Sequence, residues 1–229
     1  MNRRRKSLWV LLPAAGLCLA LGGCQGIFWL VNVLAPPQKV KALFEPPKGK
    51  VFLVFVDDIV NPVDYQPIKQ KLTDRLNEKL IQNQTATETI RYQRLVELMA
   101  DTPNFHELGV VNIGRRLGAE VVLYVQIDRF SLKESDVNPL WQGEFHTTVR
   151  LVDVKGQDNL WPTDRMGYPV PPLKLRPTQE TSPSYGETVA QELADKMADR
   201  IANLFHEHYE KPGKKTDDEE QEESSSWAF

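Results

Sequence analysis

The chain has 229 residues, a formal charge of −3, 41% hydrophobic residues and two cysteines. This acidic balance argues against a nucleic-acid binder, which needs a basic face, and two cysteines are too few for a disulfide-built scaffold. The length allows one well-cored domain with a leader and a tail.

Four cations (Arg3, Arg4, Arg5, Lys6) precede an apolar run over residues 8–21. A basic start followed by a short apolar run and small residues is the pattern of an export signal. The order Leu21-Gly22-Gly23-Cys24 resembles the bacterial lipobox. The resemblance implies that the Cys24 thiol is diacylated with chains such as palmitate, that residues 1–23 are removed, and that the new N-terminus is acylated. Cys18 leaves with that signal, and the loss of its four cations takes the charge from −3 to about −7. Two or more acyl chains hold a domain on a bilayer without a spanning helix. Gln25, standing where an aspartate favours retention in the inner membrane, points to the outer membrane. A second possibility stays open: residues 8–35 as one uncleaved span, long enough to cross with tilt, though weakened by Pro13 and two glycine pairs. Both place the rest of the chain outside the cytoplasm, on the periplasmic face of the cell envelope.

Residues 24–49 read as a lipid-anchored linker, stiffened by two Pro-Pro pairs. "VFLVFV" (51–56) reads as a strand buried on both faces. Ile68, Leu72, Leu76 and Leu80 recur every fourth residue and predict an amphipathic helix over 67–82. A short edge strand is predicted at 85–90, a helix at 92–100, and a second at 105–118 closed by Gly118. Two long strands, 119–132 and 143–156, flank a loop carrying Trp141 and predict an antiparallel hairpin. A short strand starts at 159, and the proline-rich stretch 164–183 reads as an extended loop. Ser184 and Glu187 form the pattern of a capping box, opening a helix with an apolar stripe from Val189 to about Tyr209. The acidic tail, 211–229, reads as disordered.

The expected fold is therefore α/β (α+β): a mixed sheet of about five strands with a long antiparallel hairpin and helices packed on it, in the order β-α-β-α-α-β-β-β-α, over residues 50–210. Two stretches, "VNIGRRLGAEVVLYVQI" (111–127) and "TVRLVDVKGQDNLWP" (148–162), together with the lipobox, resemble a group of bacterial envelope lipoproteins with a CsgG/LpoB/TolB-N-terminal-like α/β domain. That resemblance implies a non-catalytic, membrane-tethered domain that binds other envelope proteins, with self-assembly into a homo-oligomer as a further option.

Few residues suggest chemistry. Asp57 and Asp58 follow the first buried strand, where α/β sheets bind ligands; they carry the alternative reading, a membrane-anchored hydrolase or metal-binding protein. His206 and His208 are two apart, a spacing that does not put both on one helical face. No glycine-rich phosphate loop and no G-x-S-x-G occurs, so an enzyme is not expected, nor a cofactor or bound metal. Trp141 and Tyr168, in loops rich in proline, are the candidate partner-binding residues.

Overall fold

The computed structural model describes residues 37–133 and 140–210. Cys24, the apolar run 8–35 and the tail 211–229 lie outside the described residues. Within them no helix is long and apolar enough to cross a membrane.

Strand β1 (Gln38–Val40) pairs with the last strand, β9 (His208–Glu210), in a two-stranded ribbon of its own. The α/β unit covers Lys41–His208. Its described elements are β2 (Val51–Asp57), α1 (Pro67–Gln82), β3 (Glu88–Thr89), α2 (Tyr92–Asp101), α3 (Gly109–Leu117), β4 (Val121–Lys133), β5 (Trp141–Asp153), β6 (Asp158–Trp161), β7 (Tyr168–Pro169), β8 (Leu173–Lys174) and α4 (Tyr185–Asn203). The expected element order is found, and the stretch read as an extended loop contributes two more strands, β7 and β8.

The sheet has seven strands in the order β3-β2-β4-β5-β6, with β7 and β8 also paired to β5. The β2 strand runs parallel to β3 and β4; β4 and β5 are antiparallel. Continuous apolar sequence makes β2 an inner strand, and Phe52, Leu53, Val54, Phe55 and Val56 are all buried. The outer edge of β5 is covered in series by three short strands, opposite Asp153 to Leu151, Val149 to Thr148 and Phe145 to Glu144.

Alternation along the strands sends side chains to two layers. Phe52, Val54, Leu123, Val125, Phe145, Val149 and Leu151 form one core with α1 and α4. Leu53, Phe55, Val122, Tyr124, Val152 and Val154 form a smaller one with Leu95 of α2, Phe105 and Ile113 of α3. The apolar rows predicted for α1 (Ile68, Leu72, Leu76, Leu80) and for α4 (Val189, Leu193, Met197, Ile201) are buried. Alanines interleaved in α4 and a glycine on β5 allow close approach: a Cβ at Gly143 would stand 2.6 Å from Leu193 Cδ1.

Three local expectations are corrected. The helix expected over 105–118 is split, because Gly109 adopts φ +69° and separates a 3-10 turn at Phe105–Glu107 from α3. Its C-terminal stop holds: Gly118 has φ +79°, left-handed as a helix terminator requires. The last helix ends at Asn203, not near Tyr209, because Leu204 and Phe205 turn into the core and the Leu204 carbonyl accepts N–H bonds from Leu43 and Phe44. The capping box does not form. Ser184 has helical dihedrals and no side-chain capping bond, and its hydroxyl lies 2.9 Å from that of Ser182.

The α1 row fills the larger core, so Leu72→Ala is expected to cost about 2–5 kcal/mol. The exposed neighbour Gln70→Ala should change stability by less than about 0.5 kcal/mol. Urea unfolding of both variants beside the parent checks this; equal midpoints for all three would refute the packing described.

Candidate functional site

Helices α1 and α4 run in the same direction on one face of the sheet. Their facing charges show it: Lys71 pairs with Glu187 at 3.4 Å, Arg75 with Asp195, and Lys79 with Asp199. The basic residues on α1 recur every four residues, and their acidic partners on α4 stand eight and four apart, both on one helical face. Parallel helices bring like dipole ends together, which is unfavourable, and each cross-helix ion pair offsets part of that cost by about 0.2–1 kcal/mol.

Both N-termini open into one cleft of about 770 Å³, at the end of the β4–β5 hairpin. Tyr65, Pro67, Leu132, Trp141 and Pro183 give it an apolar lining. Tyr65 is held by stacking on Phe130 at 6.4 Å. Trp141 also borders a second cavity of about 220 Å³, between β8 and α4.

Trp141 is the first residue of β5, not a loop residue as the sequence suggested, and four contacts fix it. Its indole N–H donates to the Ser182 carbonyl at 3.0 Å. Its backbone carbonyl accepts from Thr178 N–H at 3.0 Å. The Lys133 ammonium sits 4.5 Å from the ring centre. Gly186 of α4 lies flush against the ring, where a Cβ would come within 2.6 Å of it. Trp141 therefore ties the hairpin end to the start of α4 and walls both cavities.

The two cavities have a charged rim. Lys71 and Arg75 come from α1, Lys133 from β4, Lys174 and Arg176 from β8 and the residues after it, and Lys196 from α4. Asp74, Glu187 and Glu192 are the carboxylates there; the larger cleft carries two cations and two carboxylates, with Lys71 paired to Glu187, and at the second cavity Lys196 pairs with Glu192.

Tyr168 is elsewhere. It pairs with Val149 across β7 and packs on Trp161 at 4.9 Å. Eight positions along β5 separate Val149 from Trp141, about 26 Å. The structure does not bring the two candidate partner-binding residues together. Tyr65, Lys71, Lys174 and Lys196 were not singled out in the sequence; the four-residue spacing of Lys71, Arg75 and Lys79 is the signal that marks this helix face.

Asp57 and Asp58 diverge, as neighbours at a strand end do. Asp57 accepts the Tyr124 hydroxyl at 2.8 Å, beside Phe55 and the Arg150 guanidinium. Burial, then the Asp57 bond, raises the Tyr124 pKa and keeps the phenol protonated. Asp58 turns toward α1. It accepts from Lys69 at 2.9 Å, from Val63 N–H at 3.1 Å and from Gln66 at 3.4 Å. Burial alone would raise its pKa, but these donors, Lys69 foremost, hold the carboxyl below its ordinary value. Each carboxylate is committed to the fold. His206 Nδ1 lies 2.9 Å from the Ala202 carbonyl and 3.1 Å from Asn83, while His208 belongs to β9. Among the described residues no group of three or more His, Cys, Asp or Glu is arranged to hold a metal ion.

No protein-family model and no curated protein matches the chain. Solved structures do. PelC from Paraburkholderia phytofirmans, solved as a dodecamer, is similar with a TM-score of 0.40 at 13% identity, over 75% of this chain and 98% of that one. Lipoprotein GNA1162 from Neisseria meningitidis gives 0.41 at 11% identity, over 67% and 99%. The LpoB C-terminal domain from Salmonella enterica gives 0.31 at 19% identity, over 58% and 84%. The solved chains that resemble this one include bacterial lipoproteins. Function is read below from the residues, not from these likenesses.

Because its native pKa is depressed, Asp58 contributes stability above the unfolded carboxylate value and loses it as pH falls below about 4. Asp58→Asn should therefore cost about 1–3 kcal/mol at pH 7 and much less at pH 3. Thermal or urea unfolding at the two pH values checks this; the same difference at both would exclude a charged role for Asp58.

Proposed function

We propose that the chain is an exported, lipid-anchored protein that acts as a non-catalytic interaction or assembly module of the bacterial cell envelope, on the periplasmic face of the outer membrane. The observation that carries this reading is Leu21-Gly22-Gly23-Cys24 at the end of a basic, then apolar, leader. From position 24 to position 41, where the α/β unit begins, an extended chain spans about 60 Å at most. The domain therefore works close to the membrane that holds it.

The unit has a polarity that suits such a role. The chain from the anchor docks where Leu43 and Phe44 bond to Leu204, just past the C-terminal end of α4. The Trp141 cleft is at the other end of that helix, about 28 Å away for its 19 residues. An anchor at one end leaves the cleft free to meet a partner. Its lining of aromatic, proline and leucine side chains fits a partner segment that presents aromatic or aliphatic side chains. The carboxylate pair that could have supported hydrolysis or metal binding is engaged in separate structural bonds, which supports a non-catalytic reading.

Intact mass of protein purified from membranes is the direct test. The expected mass lacks residues 1–23 and carries acyl chains, and Cys24→Ala abolishes both changes. A full-length, unmodified mass would overturn the lipid anchor. For the cleft, Tyr65→Ser should lower co-purification of envelope proteins about tenfold while the fold, read by circular dichroism, is kept. Unchanged co-purification would remove the cleft from the proposed function.

A further inference from the structure

The end of the unit that receives the chain from position 24 presents large apolar side chains to its surroundings. Leu43 is 58% exposed, although its own N–H and that of Phe44 are bonded to the Leu204 carbonyl at 2.9 and 3.1 Å. The segment is also held from beside: Phe44 stacks on Trp161 at 6.3 Å, Trp161 meets Phe205 edge-on at 5.6 Å, and Pro46 is buried. Helix α1 ends at the same place, since Asn83 at its C-cap lies 3.1 Å from His206 Nδ1. Ile81, in its last turn, is 42% exposed. Two aliphatic side chains thus stand outward on fixed backbone beside the end of α4, where contact with an apolar phase would remove them from water. We infer that this end of the unit rests on the bilayer, with Leu43 and Ile81 entering the boundary between headgroups and acyl chains. The Trp141 cleft then faces away from the membrane. The inference deepens the proposed function and rests on it only for an attachment ahead of residue 36, which an acylated Cys24 and an uncleaved span over 8–35 both supply.

The origin of the chain selects the bilayer as the occupant. From position 24 to position 41 the extended chain spans about 60 Å at most, so this end stays near the membrane. A tether of that length holds it at a local concentration of about millimolar. Two aliphatic side chains bind an interface too weakly to hold a free protein, but the attachment already retains this one. Their contact has only to set its orientation. Charge contributes little, because the exposed Lys41 and Lys48 stand against Glu45 and Glu207. Such a contact is indifferent to salt and to anionic lipid, unlike that of a polybasic surface. The cleft lies about 28 Å farther out, the length of α4, and a partner reaches it from the side opposite the bilayer.

Quenching by spin-labelled lipid tests this in the full chain. Each chain has Cys18→Ala and one fluorescently labelled cysteine, at Leu43→Cys, at Ile81→Cys or, as a control at the cleft end, at Val60→Cys, where the native side chain is 59% exposed. Cys24, once acylated, has no thiol to label, and a chain found unacylated by mass carries Cys24→Ala as well. In phosphatidylcholine vesicles containing spin-labelled lipid, quenching at 43 and 81 should exceed that at 60 by about threefold or more. Salt at 0.5 M or added phosphatidylglycerol should leave it unchanged. Equal quenching at the three positions overturns the inference. Positions 43 and 81 shielded from aqueous iodide but unquenched by the lipid also overturn it, and assign this end to a second copy. Flotation separates the failures: a chain that floats with the vesicles and is quenched equally overturns the orientation and leaves the attachment intact, while one that does not float overturns both. If a label misfolds the domain, hydrogen exchange on vesicles replaces it. Slower exchange at 41–49 and 81–85 in the parent than in the Leu43→Glu, Ile81→Glu chain is expected, and identical exchange overturns the inference.

Discussion

The antiparallel ladder between β4 and β5 is the constraint from which the remaining architecture follows. Each strand is 13 residues long, well beyond the usual five or six. The β2 strand pairs with β4 only as far as Gln126, so about half of the hairpin projects past it. A bulge between Ile127 and Arg129 re-aims that projecting part. Every other element is placed by this ladder: β2 on one edge, three short strands on the other, α4 beneath β5, and Trp141 at the point where β5 begins.

The ladder also separates two kinds of surface. On the α1 and α4 side the alternate residues are apolar except Thr147, whose hydroxyl donates to the Met197 sulfur at 3.4 Å. On the other side, α2 and α3 cover only the part beside Val122 and Val154. Beyond them the same strands carry Gln126, Asp128, Thr148, Glu144 and His146, which satisfy one another: Thr148 and Gln126 both donate to Asp128, at 2.7 and 2.8 Å. Buried apolar area stabilises the first face, while mutual hydrogen bonding allows the second to do without a helix. Asp57 accepts the Tyr124 hydroxyl at 2.8 Å, a bond separate from those, which explains why a carboxylate at a strand end is structural here.

Running two helices in parallel on a sheet has a cost and a consequence. The cost is dipole alignment, offset by the ion-pair row between α1 and α4. The consequence is that both helices start at the same end of the sheet, where they part around the hairpin and leave a cleft. Tryptophan is suited to that position. Its ring fills the gap over Gly186, its N–H satisfies a loop carbonyl, and its remaining surface walls two cavities.

The sequence by itself determined the elements whose signals are local. The β2 run, the α1 stripe and the Val149-type alternation of β5 are periodicities that survive in any tertiary context, and Gly118 ends its helix through its own dihedral freedom. Local signals misled where the tertiary structure outweighed them. The Ser184–Glu187 pattern forms no box, because Ser182 and the Trp141 anchor take over that turn. Two strands appear at 168–169 and 173–174 because the exposed edge of β5 supplies backbone partners that no local pattern announces. The candidate site was the least legible. Trp141 was visible as a residue, but its cleft is assembled from Tyr65, Lys71, Leu132 and Pro183, far apart in the chain. Their surfaces acquire meaning only when two parallel helices and a long hairpin bring them to one end of the sheet.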